Sequence, residues 1–317
     1  MKVLLPKPRG FCAGVEMAIE CLEIALEVYG TPLYVYHQIV HNKLVVQRYE
    51  ARGVVFVSEL KLVPRGATII YSAHGVAPAV RQEALRKELN VIDATCPLVT
   101  KVHAEARYFT DKDYVTFLIG HPDHDETVGI IGEAPAKINL VQSAQEISEL
   151  SVGNSTRTAY LTQTTLAVED TQDVIDALRQ RFPEIVGPRR ADICYATQNR
   201  QEAVRILAAE ADLALVIGSD NSSNSHRLVE VALAQNIPAY LIDDPSEIDL
   251  RWLDDVNVLL LTAGASVPED LVVATIKWLA DRFEIDVEER TVKEESVYFQ
   301  LPANIRFQTT QNNKATR

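Results

Sequence analysis

The chain has 317 residues, of which 47% are hydrophobic and 24% are charged, and this composition is typical of globular enzymes. The length predicts about two domains. A net charge of −13 disfavours nucleic acid and anionic membranes as partners, so a site for an anionic substrate would rely on neutral donors, histidines and helix N-termini. No apolar run could span a membrane, and Met1–Gly10 lacks the apolar core of a secretory signal, so we expect a cytoplasmic protein.

The four cysteines are too few for a disulfide scaffold in a chain of this length, and none forms the Cys-x-x-Cys pair of a zinc ribbon. Cys12, Cys96 and Cys194 each end a short polar or glycine-containing segment, once in each third of the chain. A predicted helix follows each of them, over Val15–Val28, Leu98–Thr110 and Gln198–Ala211. Cys21 lies on the predicted buried face of the first helix, and we assign it to the core.

Each third of the chain repeats the same order of elements after its helix. An apolar strand ends in a polar turn, and a second apolar strand ends in another polar turn. The six strands are predicted at Leu33–Tyr36, Thr68–Tyr71, Val115–Ile119, Thr158–Leu161, Leu213–Ile217 and Val258–Leu261. Strands that alternate with helices predict parallel sheets covered by helices, in which ligands bind at the carboxyl ends of the strands. All six polar turns lie at those ends.

We therefore predict the α/β class, with three similar parallel-sheet lobes in a pseudo-threefold arrangement around a central cofactor. The predicted boundaries are 13–96 for lobe 1, 97–193 for lobe 2, 194–283 plus 1–12 for lobe 3, and 284–317 for a C-terminal tail.

A further strand is predicted to close the sheet of each lobe. In lobes 1 and 2 it leads into a cysteine, at Val91–Asp93 and near Arg190–Ile193. Lobe 3 has no such cysteine, and Lys2–Leu5 is predicted to close its sheet, with Ile285–Thr291 as the rival candidate. The periodic pattern ends near Phe283, and the polar segment Gln308–Arg317 is predicted to be frayed.

Three cysteines brought to one centre would suit an iron–sulfur cluster, because cysteine thiolates are its usual ligands. A [4Fe–4S] cluster normally takes four thiolates, so Cys12, Cys96 and Cys194 would leave one iron open. An open iron can bind a substrate oxygen in addition to passing electrons. A three-cysteine zinc site is the alternative, although ligands from three lobes favour a larger central cofactor.

The polar turns are rich in donors that match a diphosphate, namely histidine, serine, threonine and asparagine. Gly218–Ser225 ends a strand and precedes a helix predicted from His226, which would add free backbone N–H groups. An ordinary helix cap is the competing interpretation of this segment. His41, His74 and His124 follow strands at corresponding positions, and that coincidence favours a function over a structural role for each. The remaining histidines are assigned to structural or exposed positions: His37, His103, His121 and His226.

Glu126 lies just past a strand and beside the predicted anion site. Desolvation there would raise its pKa and suit it to deliver a proton. The competing interpretation is a carboxylate in the first turn of a helix, stabilised by the helix dipole. Thr164, at another strand end, could relay a proton through its hydroxyl, and that role depends on the residues around it.

Eight motifs in the same order resemble those of the LytB family, the 4-hydroxy-3-methylbut-2-enyl diphosphate reductases. The resemblance covers about residues 1–283. The motifs are Arg9–Val15, His37–Asn42, Ser72–Val76, Asp93–Pro97, Gly120–Glu126, Thr162–Leu166, Asn221–Ser225 and Gly264–Ser266.

The resemblance implies a monomeric three-lobed fold around one [4Fe–4S] cluster with an open iron site. It implies reductive removal of an allylic hydroxyl, which gives isopentenyl and dimethylallyl diphosphates, with ferredoxin or flavodoxin as the electron donor. Cys12, Cys96 and Cys194 would hold the cluster, and Glu126 with Thr164 would supply protons. The residues implied to bind the substrate are His41, His74, His124, Thr164, Ser222, Ser223, Asn224 and Ser266.

Two other interpretations stay open at this point. Quinolinate synthase and cluster-dependent hydro-lyases also use an open iron, without net electron transfer. Recognition of a dicarboxylate usually calls for arginine, and Arg9 is the only arginine in the motifs at strand ends. An iron–sulfur sensor or electron carrier needs neither an open iron nor a diphosphate cage.

Overall fold

The computed structural model describes residues 1–150, 152 and 156–306. The segment Gln308–Arg317, which the sequence predicts to be frayed, lies outside the described residues. Among the helices that the structure describes, none is both long and apolar enough to cross a membrane.

The strands form three sheets in which every pairing is parallel. In chain order they are β1 (Lys2–Lys7), β2 (Leu33–Tyr36), β3 (Val54–Val57), β4 (Thr68–Tyr71), β5 (Asn90–Asp93), β6 (Val115–Ile119), β7 (Ile138–Val141), β8 (Thr158–Thr162), β9 (Leu213–Ile217), β10 (Ala239–Ile242), β11 (Val258–Ala263) and β12 (Asp286–Thr291). The strand order is β3-β2-β4-β5 in the first sheet, β7-β6-β8 in the second and β10-β9-β11-β1-β12 in the third. The predicted class of three parallel-sheet α/β lobes is confirmed.

Helices connect the strands, as parallel pairing requires. They are α1 (Ala13–Tyr29), α2 (Lys43–Glu50), α3 (Pro78–Arg86), α4 (Pro97–Asp111), α5 (Asp125–Ile131), α6 (Ala144–Ile147), α7 (Val168–Arg181), α8 (Tyr195–Ala208), α9 (Ser223–Ala234) and α10 (Glu269–Ala280). Short 3₁₀ turns lie at Leu60–Leu62, Pro245–Glu247 and Leu250–Leu253. The three helices predicted to follow cysteines are found as α1, α4 and α8.

The internal repeat is visible in the strand order of the three sheets. The strands β3-β2-β4, β7-β6-β8 and β10-β9-β11 have the same order and the same parallel direction. The first strand of each trio was not expected from the sequence. These strands are four residues long and lie at sheet edges.

The chain divides into two compact units. Unit 1 comprises Met1–Val15, His41–Arg48 and Cys194–Tyr298, and it contains the third sheet. Unit 2 comprises Glu16–Val40, Tyr49–Ile193 and Phe299–Arg317, and it contains the first and second sheets. The lobe boundaries predicted from the sequence stay a prediction.

Side chains on the central strands alternate between two buried faces, as expected for a sheet covered by helices on both sides. On β9, Leu215 belongs to one apolar cluster with Leu279 of α10, whereas Val216 belongs to another with Val204 of α8 and Leu228 of α9. The strands are therefore uniformly apolar, and the polar residues that follow them stand out in the sequence.

The fourth strand predicted for lobe 2, near Arg190–Ile193, is wrong, because the described residues there form no strand. Pairing in this region is limited to one parallel bridge between Ala159 and Val186. Pro188 follows and has no N–H with which to extend the ladder. The Asp192 carboxylate instead accepts the N–H of the last residue of β8, at 2.9 Å.

The strand predicted at Lys2–Leu5 is confirmed as part of the third sheet, since β1 pairs directly with β11. The rival candidate joins the same sheet, because β12 pairs with the other edge of β1. Residues assigned to a tail after Phe283 therefore include a strand. Four of the six residues of β12 are charged, and ion pairs such as Lys2–Glu288 replace the apolar alternation that would have predicted it.

Candidate functional site

The three cysteines predicted to hold a cluster occupy the same place relative to a helix. Cys12 directly precedes α1, and Cys96 and Cys194 are the N-cap residues of α4 and α8. All three are outside disulfide bonds and partly exposed. Helix N-termini favour a thiolate through their free N–H groups and dipole, and the thiolate is the form that binds metal.

Backbone hydrogen bonds attach two of these cysteines to corresponding loops. In unit 1, the Cys12 N–H donates to the Ala265 carbonyl at 3.3 Å, in the loop after β11. In unit 2, the Cys96 N–H donates to the Ala73 carbonyl at 3.0 Å, in the loop after β4. Each alanine is adjacent to a residue predicted to bind the substrate, so each cysteine is fixed beside such a residue within its own unit.

The fourth cysteine has the opposite character. Cys21 is fully buried in α1, and burial raises the pKa of its thiol to about 12. A thiol of this kind stays protonated and is not a metal ligand. The contrast supports the assignment of the other three to a metal cofactor: they are accessible, free of disulfides, placed at helix N-termini and of the donor type that iron–sulfur clusters use.

The N-terminus of α9 gathers the serine and asparagine side chains predicted to bind the diphosphate. The helix begins at Ser223, earlier than the start predicted at His226, because serine and asparagine are preferred in the cap and first turn. Asn224 Nδ2 donates to Ser222 Oγ at 2.7 Å, and the hydroxyl oxygens of Ser222 and Ser266 lie 3.5 Å apart.

Two glycines bring the ends of β9 and β11 against this helix N-terminus. A Cβ atom at Gly218 would lie 2.2 Å from Ser225 Oγ, and one at Gly264 would lie 2.1 Å from the same atom. Ser225 is fully buried and donates to Ser222 Oγ at 3.0 Å. Any larger residue at either glycine would displace the first turn of α9, where the sequence predicts that the diphosphate binds.

His41 joins the same group in unit 1. The Ser266 hydroxyl donates to the His41 carbonyl at 2.8 Å. Two residues further on, the Lys43 N–H donates to Ser219 Oγ at 2.8 Å, which attaches the start of α2 to the loop after β9. The structure therefore brings five predicted substrate-binding residues together in unit 1: His41, Ser222, Ser223, Asn224 and Ser266.

Glu126 is a buried carboxyl group of unit 2 with a raised pKa. It is 1% exposed, and burial raises its pKa from 4.5 to about 7, against two hydrogen bonds that lower it. Those bonds come from Thr164: the N–H donates to Oε1 at 2.7 Å and the hydroxyl donates to Oε2 at 2.9 Å. The predicted rise of the Glu126 pKa by desolvation is confirmed, and the pairing with Thr164 is observed.

Two of the predicted histidines lie beside this pair. His124 caps α5, and its Nδ1 accepts the Glu126 N–H at 3.2 Å. The His124 ring stands edge-on to His74, with ring centroids 5.9 Å apart, and Ser72 Oγ lies 3.3 Å from His74 Nδ1. Unit 2 therefore holds the second set of predicted residues: His74, Cys96, His124, Glu126 and Thr164.

The sequence did not predict a role for Asp192, which lies close to this set. It is 3% exposed, and burial raises its pKa to about 7 even though Lys101 Nζ lies 2.6 Å from its carboxylate. Its negative charge contributes to the raised pKa of Glu126. The available signal was the position of this aspartate two residues before Cys194, since Asp93 lies three residues before Cys96.

The buried amide of Gln163 also belongs to this region. Its side-chain oxygen accepts the His121 N–H at 3.0 Å, and its Nε2 donates to Thr165 Oγ1 at 2.9 Å. The first contact connects the loop after β6, which leads to Glu126, with the loop after β8, which carries Thr164, and the second lies within the loop after β8. Gln163 lies in the motif Thr162–Leu166, but a glutamine at this position is equally typical of a solvent-exposed turn, so the sequence does not predict a role for it.

The LytB protein family model matches residues 3–280. Curated relatives include the 4-hydroxy-3-methylbut-2-enyl diphosphate reductase of Acidothermus cellulolyticus, 53% identical over 306 residues, which are 96% of this chain and 90% of the relative. The enzyme of the same description from Rhodopirellula baltica is 50% identical over 96% of both chains.

Two solved structures are also similar. The E-1-hydroxy-2-methyl-but-2-enyl-4-diphosphate reductase of Plasmodium falciparum is 36% identical, with a TM-score of 0.95 over 98% of both chains. A second structure, of an (E)-4-hydroxy-3-methyl-but-2-enyl diphosphate reductase described as the terminal enzyme of the non-mevalonate pathway, is 30% identical, with a TM-score of 0.64 over 88% of this chain and 99% of that one. With a family model that spans most of its length and relatives at about half identity over 96% of it, the chain belongs to the LytB family.

Proposed function

We propose that the chain reduces 4-hydroxy-3-methylbut-2-enyl diphosphate to isopentenyl and dimethylallyl diphosphates, the last step of the non-mevalonate isoprenoid pathway. The substrate takes up two electrons and two protons, its allylic C–O bond breaks, and the hydroxyl group leaves as water. The enzyme must therefore bind a diphosphate, deliver electrons and hold a proton near the leaving oxygen.

The observation that carries the proposal is Glu126, a carboxyl group whose pKa of about 7 lets it hold a proton at neutral pH. It belongs to a chain whose relatives with this activity align over nearly its full length. A structural carboxylate in the first turn of a helix would be exposed and ionised, whereas Glu126 is buried and bonded to Thr164.

The cofactor in this proposal is one [4Fe–4S] cluster held by Cys12, Cys96 and Cys194. When bound, such a cluster supplies electrons and an iron with an open position for an oxygen ligand. The support for these ligands is the placement of each thiol at a helix N-terminus and the exclusion of Cys21 by burial. The proposal requires the three thiolates to bind one cluster, which is a prediction.

We propose that seven residues bind the diphosphate: His41, His74, His124, Ser222, Ser223, Asn224 and Ser266. In unit 1 the hydroxyl and amide groups lie at the N-terminus of α9, an arrangement that suits phosphate oxygens. In unit 2 the histidines can add positive charge when protonated. Neutral hydrogen-bond donors and positively charged histidines would thus both contact the negatively charged ligand.

Glu126 and Thr164 are proposed to move the proton. Glu126 holds it, and the Thr164 hydroxyl, 2.9 Å from Glu126 Oε2, can pass it on or bind the substrate hydroxyl. The Thr164 N–H fixes the other carboxylate oxygen, so only one oxygen is free to exchange a proton along this path. The electrons are proposed to come from ferredoxin or flavodoxin, and the chain to act as a monomer.

The test is anaerobic reconstitution of the full chain, followed by analysis of iron and sulfide and titration with the substrate. We expect about four of each per chain, a Mössbauer spectrum with one distinct iron, and a shift of that component when substrate binds. Reduced viologen dye should then convert the substrate to the two isoprenoid diphosphates. A cluster whose spectrum ignores the substrate, with no product, would instead identify an electron carrier and refute the proposal.

A further inference from the structure

Arg200 is a buried arginine of α8 that the proposed reaction does not use. It is 2% exposed, and its guanidinium group donates to backbone carbonyl groups on two sides. Nε and Nη2 donate to the Gly10 carbonyl at 3.1 and 2.8 Å, and Nη2 also donates to the Phe11 carbonyl at 3.3 Å. Nη1 donates to the Ala196 carbonyl at 2.9 Å. A single planar group thus bonds three main-chain oxygens.

Those three oxygens flank two of the proposed cluster ligands. Gly10 and Phe11 directly precede Cys12, and Ala196 lies two residues after Cys194. Tyr195, which follows Cys194, forms a hydrogen bond with the backbone of Ala13 and lies within electrostatic range of Cys12. The loop before α1 and the start of α8 are therefore in contact within unit 1.

The loop before Cys12 has little freedom of its own. Gly10 has a φ of +62°, which other residues rarely adopt, and a Cβ atom there would lie 2.9 Å from the Val267 carbonyl. Its N–H donates to the Ala263 carbonyl at 3.1 Å. The Gly10 carbonyl oxygen accepts hydrogen bonds from Arg200, so the arginine completes the hydrogen bonding of a turn that requires glycine.

A buried guanidinium group needs a counter-charge, and the segment after β12 supplies it. Glu295 Oε1 lies 3.2 Å from Arg200 Nη1, and Asn199 Nδ2 donates to the same oxygen at 2.9 Å. The Glu295 side chain is only 16% exposed. Glu295, which the sequence analysis assigned to a tail, thus neutralises the charge of Arg200 between the two cysteine-bearing segments.

We infer that Arg200, with Glu295 as its counter-ion, is a positioning residue that fixes the Cys12 and Cys194 segments relative to each other before the cluster binds. The inference rests on the proposed role of these two cysteines as cluster ligands. A preset spacing lowers the conformational cost of binding the cluster and slows its release. An arginine that served only to fill the core would change the stability of the chain without changing how the cluster is retained.

The experiment compares Arg200→Lys and Glu295→Gln with the wild-type chain and with Arg205→Lys as control. Lysine keeps the charge of Arg200 but cannot bond three carbonyl groups with one planar fork. Arg205 is on the same helix and pairs with the exposed Glu202, away from both cysteines. Thermal unfolding of each metal-free protein first shows that the variants are folded.

Two measurements follow on the full-length chain. The first is release of iron from the anaerobically reconstituted protein to a ferrous chelator, which we expect to be about 10–100-fold faster in Arg200→Lys, less so in Glu295→Gln, and unchanged in Arg205→Lys. The second is hydrogen exchange of the peptide that contains Gly10 and Cys12 in the metal-free protein. Its amide groups should exchange roughly tenfold faster in Arg200→Lys, since a charge-assisted hydrogen bond that holds the loop is lost.

The outcomes separate this inference from the proposed function. A wild-type chain that takes up a cluster, together with unchanged iron release and unchanged exchange in Arg200→Lys, overturns the inference and leaves the proposed function intact. A wild-type chain that takes up no cluster overturns the proposed function, and with it the purpose assigned to Arg200, even if the exchange responds. Faster release and faster exchange in Arg200→Lys, with both unchanged in Arg205→Lys, establish the positioning role.

Discussion

Glu126→Gln is the substitution that tests the proposed chemistry most directly. Glutamine has nearly the same shape, its amide oxygen can still accept the Thr164 N–H, and its amide nitrogen can donate to the Thr164 hydroxyl oxygen. The variant should therefore keep the fold and bind the substrate. It cannot deliver a proton, so turnover should fall by about 10²–10⁴-fold, the usual contribution of a general acid.

The raised pKa of Glu126 also sets an expected effect on stability. A rise from 4.5 to about 7 means that the folded chain holds this proton more tightly than the unfolded chain, at a cost to the folded state of about 3 kcal/mol once the group ionises. That cost appears as the pH rises from 4.5 through 7. Glutamine has no proton to lose, so relative to the wild type the variant should gain on the order of 3 kcal/mol at pH 8 and much less at pH 5.

Three measurements check this reasoning. Turnover of the wild type with a viologen donor should decline as the pH rises through about 7, because the acid form of Glu126 is lost. Infrared bands of protonated carboxyl groups should titrate near the same pH, and Glu126→Gln should lose the band of Glu126 while that of Asp192 remains. Thermal unfolding at several pH values gives the difference in stability between the two proteins. A carboxyl band that disappears near pH 4.5, or wild-type turnover in the variant, would refute the role assigned to Glu126.

Three further predictions concern the cofactor, the anion site and a buried ion pair. Cys21→Ala should leave the iron content of the reconstituted protein unchanged, and loss of iron would contradict the assignment of ligands. Gly264→Ala should raise the dissociation constant of the diphosphate, measured by calorimetry, because the new Cβ meets Ser225 Oγ at 2.1 Å; unchanged affinity would exclude the start of α9 from the site. Glu133→Gln should destabilise the chain by about 1–3 kcal/mol at pH 7, because a neutral amide replaces the carboxylate that is hydrogen-bonded to His103 at 2.7 Å and to Arg107 at 2.9 Å. Hydrogen bonds from His103 and Arg107 hold the pKa of Glu133 below 4.5 despite burial, so this loss should shrink as the pH falls below 4.5, and denaturant unfolding that shows no such trend would contradict it.

The central strands and the turns after them could be predicted from the sequence, because buried parallel strands are continuous apolar runs. β2, β4, β6 and β9 have the predicted bounds. The edge strands could not be predicted in this way. β12 is mostly charged and is stabilised by pairing with β1. The missing fourth strand of lobe 2 depends on Pro188 and on the hydrogen bond that the Asp192 carboxylate accepts from the Thr162 N–H. Both depend on tertiary contacts that no local pattern records.

A site residue could be predicted where its side-chain chemistry and its position in the sequence indicate the same role. Glu126 is an example, because its place after β6 indicated desolvation. Residues that act through other residues were not predicted. Arg200 is one arginine among many in the sequence, and only the fold shows that its guanidinium group reaches the carbonyl groups before Cys12. Asp192 is similar, because its raised pKa comes from burial rather than from its neighbours in the chain.

The net charge of −13 and a diphosphate substrate would conflict if the anion site depended on long-range attraction. The positive charges near the Cys12 loop are already paired: Arg9 contacts Glu269 and Glu289, at 2.5 and 2.8 Å, and Arg200 contacts Glu295. None of the seven residues proposed to bind the diphosphate is a lysine or an arginine. Neutral donors and a helix N-terminus act only over short distances, so they bind an anion only where their geometry matches it. The close approach of Gly218 and Gly264 to the start of α9 therefore matters more for binding than the charge of the chain does.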